Sequence, residues 1–122
     1  MRAVVANSVA AREWTRAIER RTVRASAPDL IYAEVGQAVL GYVRSRRLDV
    51  GDAAEIVEAV QAFPLRVAPL DTVVRAALAV AIERELSVYD ACYVALAEAA
   101  GATLVTADTR LGDAYDRVEL VA

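Results

Sequence analysis

The sequence predicts an α/β fold: an α/β/α sandwich with a central, mostly parallel sheet of about four strands. Three observations predict it. Short apolar runs of strand length alternate with longer helical segments. The hydrophobic fraction is 57%, rich in Ala and Val, which suits an interior of that class. At 122 residues the chain is long enough for one core, and no repeat, low-complexity segment or linker divides it. Residues 1–122 are therefore expected to form a single domain.

The elements follow in order. Arg2 to Ala6 is a short apolar run that reads as a buried first strand. Ser8 can cap a helix reaching about Arg24, amphipathic through Trp14, Ile18 and several Arg. Pro28 and Asp29 open a second helix, with the proline where its missing N–H does no harm. From Leu30 to Val43 nearly every residue is apolar or small, interrupted by Glu34 and Gln37, so this helix is expected to be buried on most sides. Arg44, Arg46 and Arg47 place positive charge at its C-terminal end, where the helix dipole favours it. A third helix fits Asp52 to Phe63 on the stripe Ile56, Val57 and Val60, and Pro64 stops it.

Leu65 to Pro69 reads as a short strand, and Asp71 as the cap of a fourth helix from Thr72 to about Glu85. Ser87 starts a fifth helix that Gly101 ends. Thr103 to Thr106 is a buried strand, Arg110 to Tyr115 a turn or short helix, and Val118 to Val121 the last strand. Strands alternating with helices imply a parallel sheet covered on both faces. Right-handed crossovers then bring every strand's C-terminal end to one edge, where ligand sites of such sheets lie.

Composition removes most chemistries. The chain has no His, so Ser-His-Asp, Cys-His and His-ligated zinc sites are absent. Its single cysteine, Cys92, excludes a disulfide framework and a four-Cys metal site. Cys92 falls in the apolar run of a helix and reads as a small buried residue. What remains is carboxylate, hydroxyl and metal chemistry. No stretch approaches the ~20 apolar residues of a membrane span, and no signal-peptide pattern opens the chain. The expected location is the cytoplasm.

All 14 basic residues are Arg. Coding bias explains that choice, since it also explains the excess of Ala and Val; the fit of Arg forks to phosphate is the functional alternative. The distribution says more. Residues 1–48 carry a net +5 and residues 49–122 a net −8, within a total of −3. A basic half beside an acidic half could hold a polyanion near a metal site, or be two solvated faces.

Three acids stand out, each with a structural explanation beside the functional one. Asp90 lies on the opening turn of the fifth helix, where Ser87-x-x-Asp90 also fits a capping box. Asp108 follows the Thr103–Thr106 strand and also fits an Asx turn. Glu34 interrupts an apolar helix, where a carboxylate is costly unless paired. Its partner could be Gln37, an Arg or a cation. Asp113 and Asp116 read as surface turn residues, with Asp113 a spare ligand. Carboxylates gathered at one sheet edge suit a hard divalent cation.

Three phrases carry a resemblance: Pro28-Asp29-Leu30-Ile31-Tyr32-Ala33-Glu34-Val35, Tyr89-Asp90-Ala91-Cys92-Tyr93-Val94-Ala95-Leu96-Ala97, and Thr106-Ala107-Asp108-Thr109-Arg110-Leu111. Together they resemble the PIN-domain family, and most of all the VapC-type toxins of bacterial toxin–antitoxin pairs. The resemblance runs in order along essentially the whole chain. It implies a PIN-like fold and a Mg²⁺- or Mn²⁺-dependent endoribonuclease of RNA. It also implies a homodimer, held in check by a cognate antitoxin protein. The family's acids map onto Glu34, Asp90 and Asp108 as metal and catalytic residues. Its hydroxyl maps onto Thr106, and Ser8 matches a small polar residue after the first strand.

One departure matters. The family's first strand ends in Asp, in a phrase like Val-Val-Asp-x-Ser, whereas this chain reads Val4-Val5-Ala6-Asn7-Ser8. Ala6 removes one negative charge and one or two oxygen ligands, and strand alternation points Asn7 elsewhere. The segment from Val9 to Ala27 is also short for the family. Two functions are compatible with this pattern: a nuclease toxin weakened or inactivated at Ala6, and a catalytically silent binding protein that keeps the dimer and the antitoxin grip.

Overall fold

The computed structural model describes residues 2–5, 19–21, 23–106 and 109–120. Ala6, Asn7, Ser8, the helix carrying Trp14 and Ile18, and Asp108 lie outside the described residues. The elements are β1 (Arg2–Val5), β2 (Arg24–Pro28), α1 (Leu30–Arg44), α2 (Val50–Ala62), β3 (Leu65–Ala68), α3 (Val74–Arg84), α4 (Val88–Ala100), β4 (Thr103–Thr106), α5 (Thr109–Ala114) and β5 (Val118–Leu120).

The strands form one sheet in the order β3-β2-β1-β4-β5, and every pairing is parallel. The sheet thus has one strand more than the sequence suggests. The addition is β2, Arg-Ala-Ser-Ala-Pro. It lacks the β-branched and aromatic residues that mark strands, and its proline argues against one. Pro28 is tolerated because it is the strand's last residue; the next donor, Asp29 N–H, reaches Ala68 O at 2.9 Å. Pro28 therefore ends a strand rather than opening a helix.

The sheet is covered on both faces. On one face Val73, Ala77, Val80 and Ala81 pack with Ala91–Ala95 and Ala97 of α4, over Leu104. On the other face Ala25, Ala27 and Val105 meet Ile31, with Tyr32, Val35, Phe63 and Leu65 around them. Leu104 and Val105 are 0% and 2% exposed, so consecutive residues of β4 feed opposite cores, as the pleat requires.

Helix ends follow local chemistry. Ser87 accepts a hydrogen bond from Asp90 N–H at 3.1 Å, which caps α4. Gly101 closes that helix in the left-handed region at φ 58°, which favours glycine. Asp49 caps α2 by accepting from Asp52 N–H at 2.8 Å.

Two expectations are corrected. Asp71 does not cap a helix: it sits in a 3₁₀ turn, Leu70–Thr72, and α3 begins after Val73 without a side-chain cap. Thr72 instead bonds back to Pro69 O at 2.6 Å. Nor is α1 buried on most sides. Ile31 and Val39 are its buried residues, while Leu40 and Tyr42 are exposed. One sheet face and α2 do not encircle a fifteen-residue helix.

Candidate active site

The strand order reverses direction between β1 and β4. The crevice outside the carboxyl ends of strands at such a reversal is where sheets of this type bind ligands. The register Val5↔Val105 sets the end of β1 beside the end of β4. Thr106, the last residue of β4, is a buried polar side chain at that point, 1% exposed.

Two helices bring acids to this edge from opposite layers. Glu34 stands in the second turn of α1, which starts directly after β2. Asp90 stands in the first turn of α4. The layers meet through Tyr93, one turn beyond Asp90, whose hydroxyl donates to Glu34 Oε1. Tyr93 is 2% exposed and Glu34 half-buried, so this contact is partly shielded from water. Among the described residues, the half-buried Glu34 carboxylate thus finds its hydrogen-bond partner in a tyrosine of the other layer.

The electrostatics report a concentration of negative charge. The Tyr93 hydroxyl is held far above the ordinary tyrosine pKa, first by burial, then by its bond to Glu34, with the charges of Glu34 and Asp90 adding to it. The Cys92 thiol is pushed up by burial, then by Glu34 and Asp29. Cys92 is accordingly a buried, protonated thiol, as its place in the helix suggested. Asp29, next to α1 and making no cap bond with its side chain, thus adds a further carboxylate within electrostatic reach.

The donor set is all oxygen: Glu34, Asp90 and the Thr106 hydroxyl, with Asp29 nearby. That chemistry fits Mg²⁺ or Mn²⁺ rather than a soft metal. Among the described residues no group of three acidic or cysteine side chains is close enough to hold an ion. Glu34 and Asp90 supply two carboxylates; the sequence's third, Asp108, lies outside the described residues, as does Ala6. Asp113 is exposed on α5 and shares a hollow with Arg84 and Glu98 instead. Sequence reasoning missed Tyr93 and Asp29. Tyr93 had a signal, since its three-residue spacing from Asp90 puts both on one helix face.

A parallel sheet sandwiched by helices, with acids from both layers meeting over the reversal point, defines a class that the comparisons identify. Residues 1–117 match the PIN domain, and the chain belongs to the PIN-domain family. Ribonuclease VapC3 of Pyrobaculum aerophilum is 34% identical over 89 residues, which cover 71% of this chain and 68% of that one. Among solved structures, PAE2754 from Pyrobaculum aerophilum superposes with a TM-score of 0.78 at 28% identity, covering 99% of this chain and 90% of that one. A toxin–antitoxin complex from Klebsiella pneumoniae has a TM-score of 0.66 at 16% identity, covering 96% and 95%. VapBC2 from Rickettsia felis, bound to a DNA fragment from its promoter, has a TM-score of 0.69 at 12% identity, covering the whole of both chains. The last two support the fold alone.

Proposed function

We propose that the chain is a metal-dependent endoribonuclease toxin of a type II toxin–antitoxin system. It hydrolyses RNA phosphodiester bonds, weakly or not at all as it stands because Ala6 replaces the first family acid. The observation that carries this reading is the approach of Glu34 and Asp90 to Tyr93, which bonds Glu34 and feels the charge of both acids. Membership of the PIN family and the likeness to a protein named as a VapC ribonuclease support it.

Glu34, Asp90 and Asp108 would hold the ion, Mg²⁺ or Mn²⁺. When bound, it supplies a polarised water and neutralises charge on the phosphate. The chain's own residues do the rest. Tyr93 engages Oε1 of Glu34 and so orients that carboxylate. Ser87 fixes the backbone that carries Asp90. Thr106 places a buried hydroxyl at the strand end beside these acids. Ala6 removes an oxygen ligand, so affinity for the ion and rate both fall.

The partners on this reading are RNA, a cognate antitoxin and a second copy of the chain. The likeness to a protein named as a VapC ribonuclease supports the antitoxin, and one structure of the same fold is described as a toxin–antitoxin complex. Val74, Leu78 and Ile82 are exposed at spacings of four along α3, a face a homodimer would cover. No described helix is long and apolar enough to cross a membrane.

Ala6 itself favours the second reading, a silent PIN-fold protein that binds its antitoxin without cutting RNA. The test is RNA cleavage with Mn²⁺ by this chain and by its Ala6→Asp version. Cleavage by Ala6→Asp supports a nuclease site lacking one ligand. Absence of cleavage by both, across messenger, transfer and ribosomal RNA, favours the binding protein.

A further inference from the structure

The opposite edge of the sheet carries a second charged feature. Arg24 opens β2 and Arg66 lies on β3. The register pairs Ser26 with Arg66. Arg24 is two residues before Ser26, so both arginines leave the same face of neighbouring strands. Like charges on one face of adjacent strands repel.

Nothing described here offsets them. Both side chains are exposed. Among the described residues neither forms an ion pair, whereas Arg84 is paired with Glu98 at 2.5 Å. The two arginines line a cleft of about 430 Å³ whose remaining walls include Leu96 and Ala100 of α4 and Ala102 just beyond it. They also line a second hollow, where Arg21 joins them. Among the described residues no acidic side chain lines either space. Two hollows lined by one pair of guanidiniums suit a ligand with repeated negative groups rather than a single ion. Arg forks match phosphate oxygens, and low-dielectric walls strengthen the attraction.

We infer that Arg24, Arg66 and Arg21 form a binding groove for the phosphodiester backbone of single-stranded RNA, separate from the acidic edge. Arg24 lies about 13 Å, and Arg66 about 7 Å, before the carboxyl ends of their strands, at about 3.3 Å per strand residue. RNA as occupant rests on the nuclease reading above. The groove would retain an RNA strand while another part of it lies over Glu34 and Asp90.

The test is the affinity of the intact chain for a fluorescein-labelled oligouridine, in EDTA, across a salt series. The paired substitution Arg24→Gln with Arg66→Gln should weaken binding roughly tenfold and lower the salt slope by about 1.4, from about 0.7 per phosphate contact on single strands. Arg24→Lys with Arg66→Lys should keep the slope. Arg47→Gln with Arg75→Gln makes the same change in net charge elsewhere and should leave both quantities nearly unchanged. Equal losses from the two Gln pairs would overturn the groove, leaving only overall charge. So would RNA binding that the Arg24/Arg66 pair does not alter, no RNA binding by the parent, or binding of polyglutamate in preference to RNA. Because EDTA removes catalysis, failure of cleavage by Ala6→Asp leaves this result standing, and the two failures are distinguishable.

Discussion

Tyr93→Phe removes one oxygen and isolates the contact that joins the two layers. Phe keeps the ring, so the core around a side chain only 2% exposed stays packed. What is lost is a hydrogen bond to a carboxylate, worth about 1.5–3 kcal/mol because the acceptor is charged. For a domain of this size that lowers Tm by roughly 6–12 °C. The pH dependence has a definite sign. The folded pKa of Tyr93 is raised, above the unfolded value of about 10. Its contribution is therefore fully present below about pH 10 and is lost as pH rises through the folded pKa. The parent should lose stability in strong alkali as Tyr93 ionises, and Tyr93→Phe should lack that component. Thermal melts at pH 7 and at pH 9 to 11 measure both effects. A cycle with Glu34→Gln should give a coupling of about 0.5–3 kcal/mol. A Tm within 1 °C of the parent together with zero coupling would refute the reasoning.

Three further expectations concern other parts of the fold. Ser87→Ala removes the cap of α4 and should cost about 1 kcal/mol, read as a lower midpoint in urea with an unchanged slope. Arg84→Ala breaks both the ion pair with Glu98 and the 2.7 Å bond to Ala114 O. Both groups of the ion pair are partly exposed, so the loss should stay near 1 kcal/mol and the ionic part should fade in high salt, as melts at two salt concentrations would register. Leu78→Glu on the exposed face of α3 should shift a homodimer to monomer in light scattering while leaving Tm of the monomer unchanged within about 1 °C.

Much of this architecture is legible in the sequence because local chemistry and global fold agree. Ser87 and Gly101 bound α4 as their types suggest, and Leu104 and Val105 mark β4 by apolarity alone. The failures are equally physical. Arg24–Pro28 forms a strand because its backbone fits between β1 and β3, a tertiary demand that overrides poor propensity. Asp71 has the right type for a cap but sits two residues before the cap position of α3, Val73. At the site, Glu34 announced itself as a carboxylate in an apolar helix, yet its partner lies 59 residues away, on the other layer. No periodicity within one element can reveal such a pairing. Arg24 and Arg66 likewise become neighbours only through strand register.

The central claim is that the acidic edge cleaves RNA with a metal ion. Its most direct test is Mn²⁺-dependent RNA cleavage by the Ala6→Asp protein with and without Asp90→Asn. Asp90 joins the cap through its backbone N–H, so the substitution should leave Tm nearly unchanged. The account predicts cleavage by Ala6→Asp and none once Asp90→Asn is added. Equal cleavage by both, with the fold intact, would contradict it.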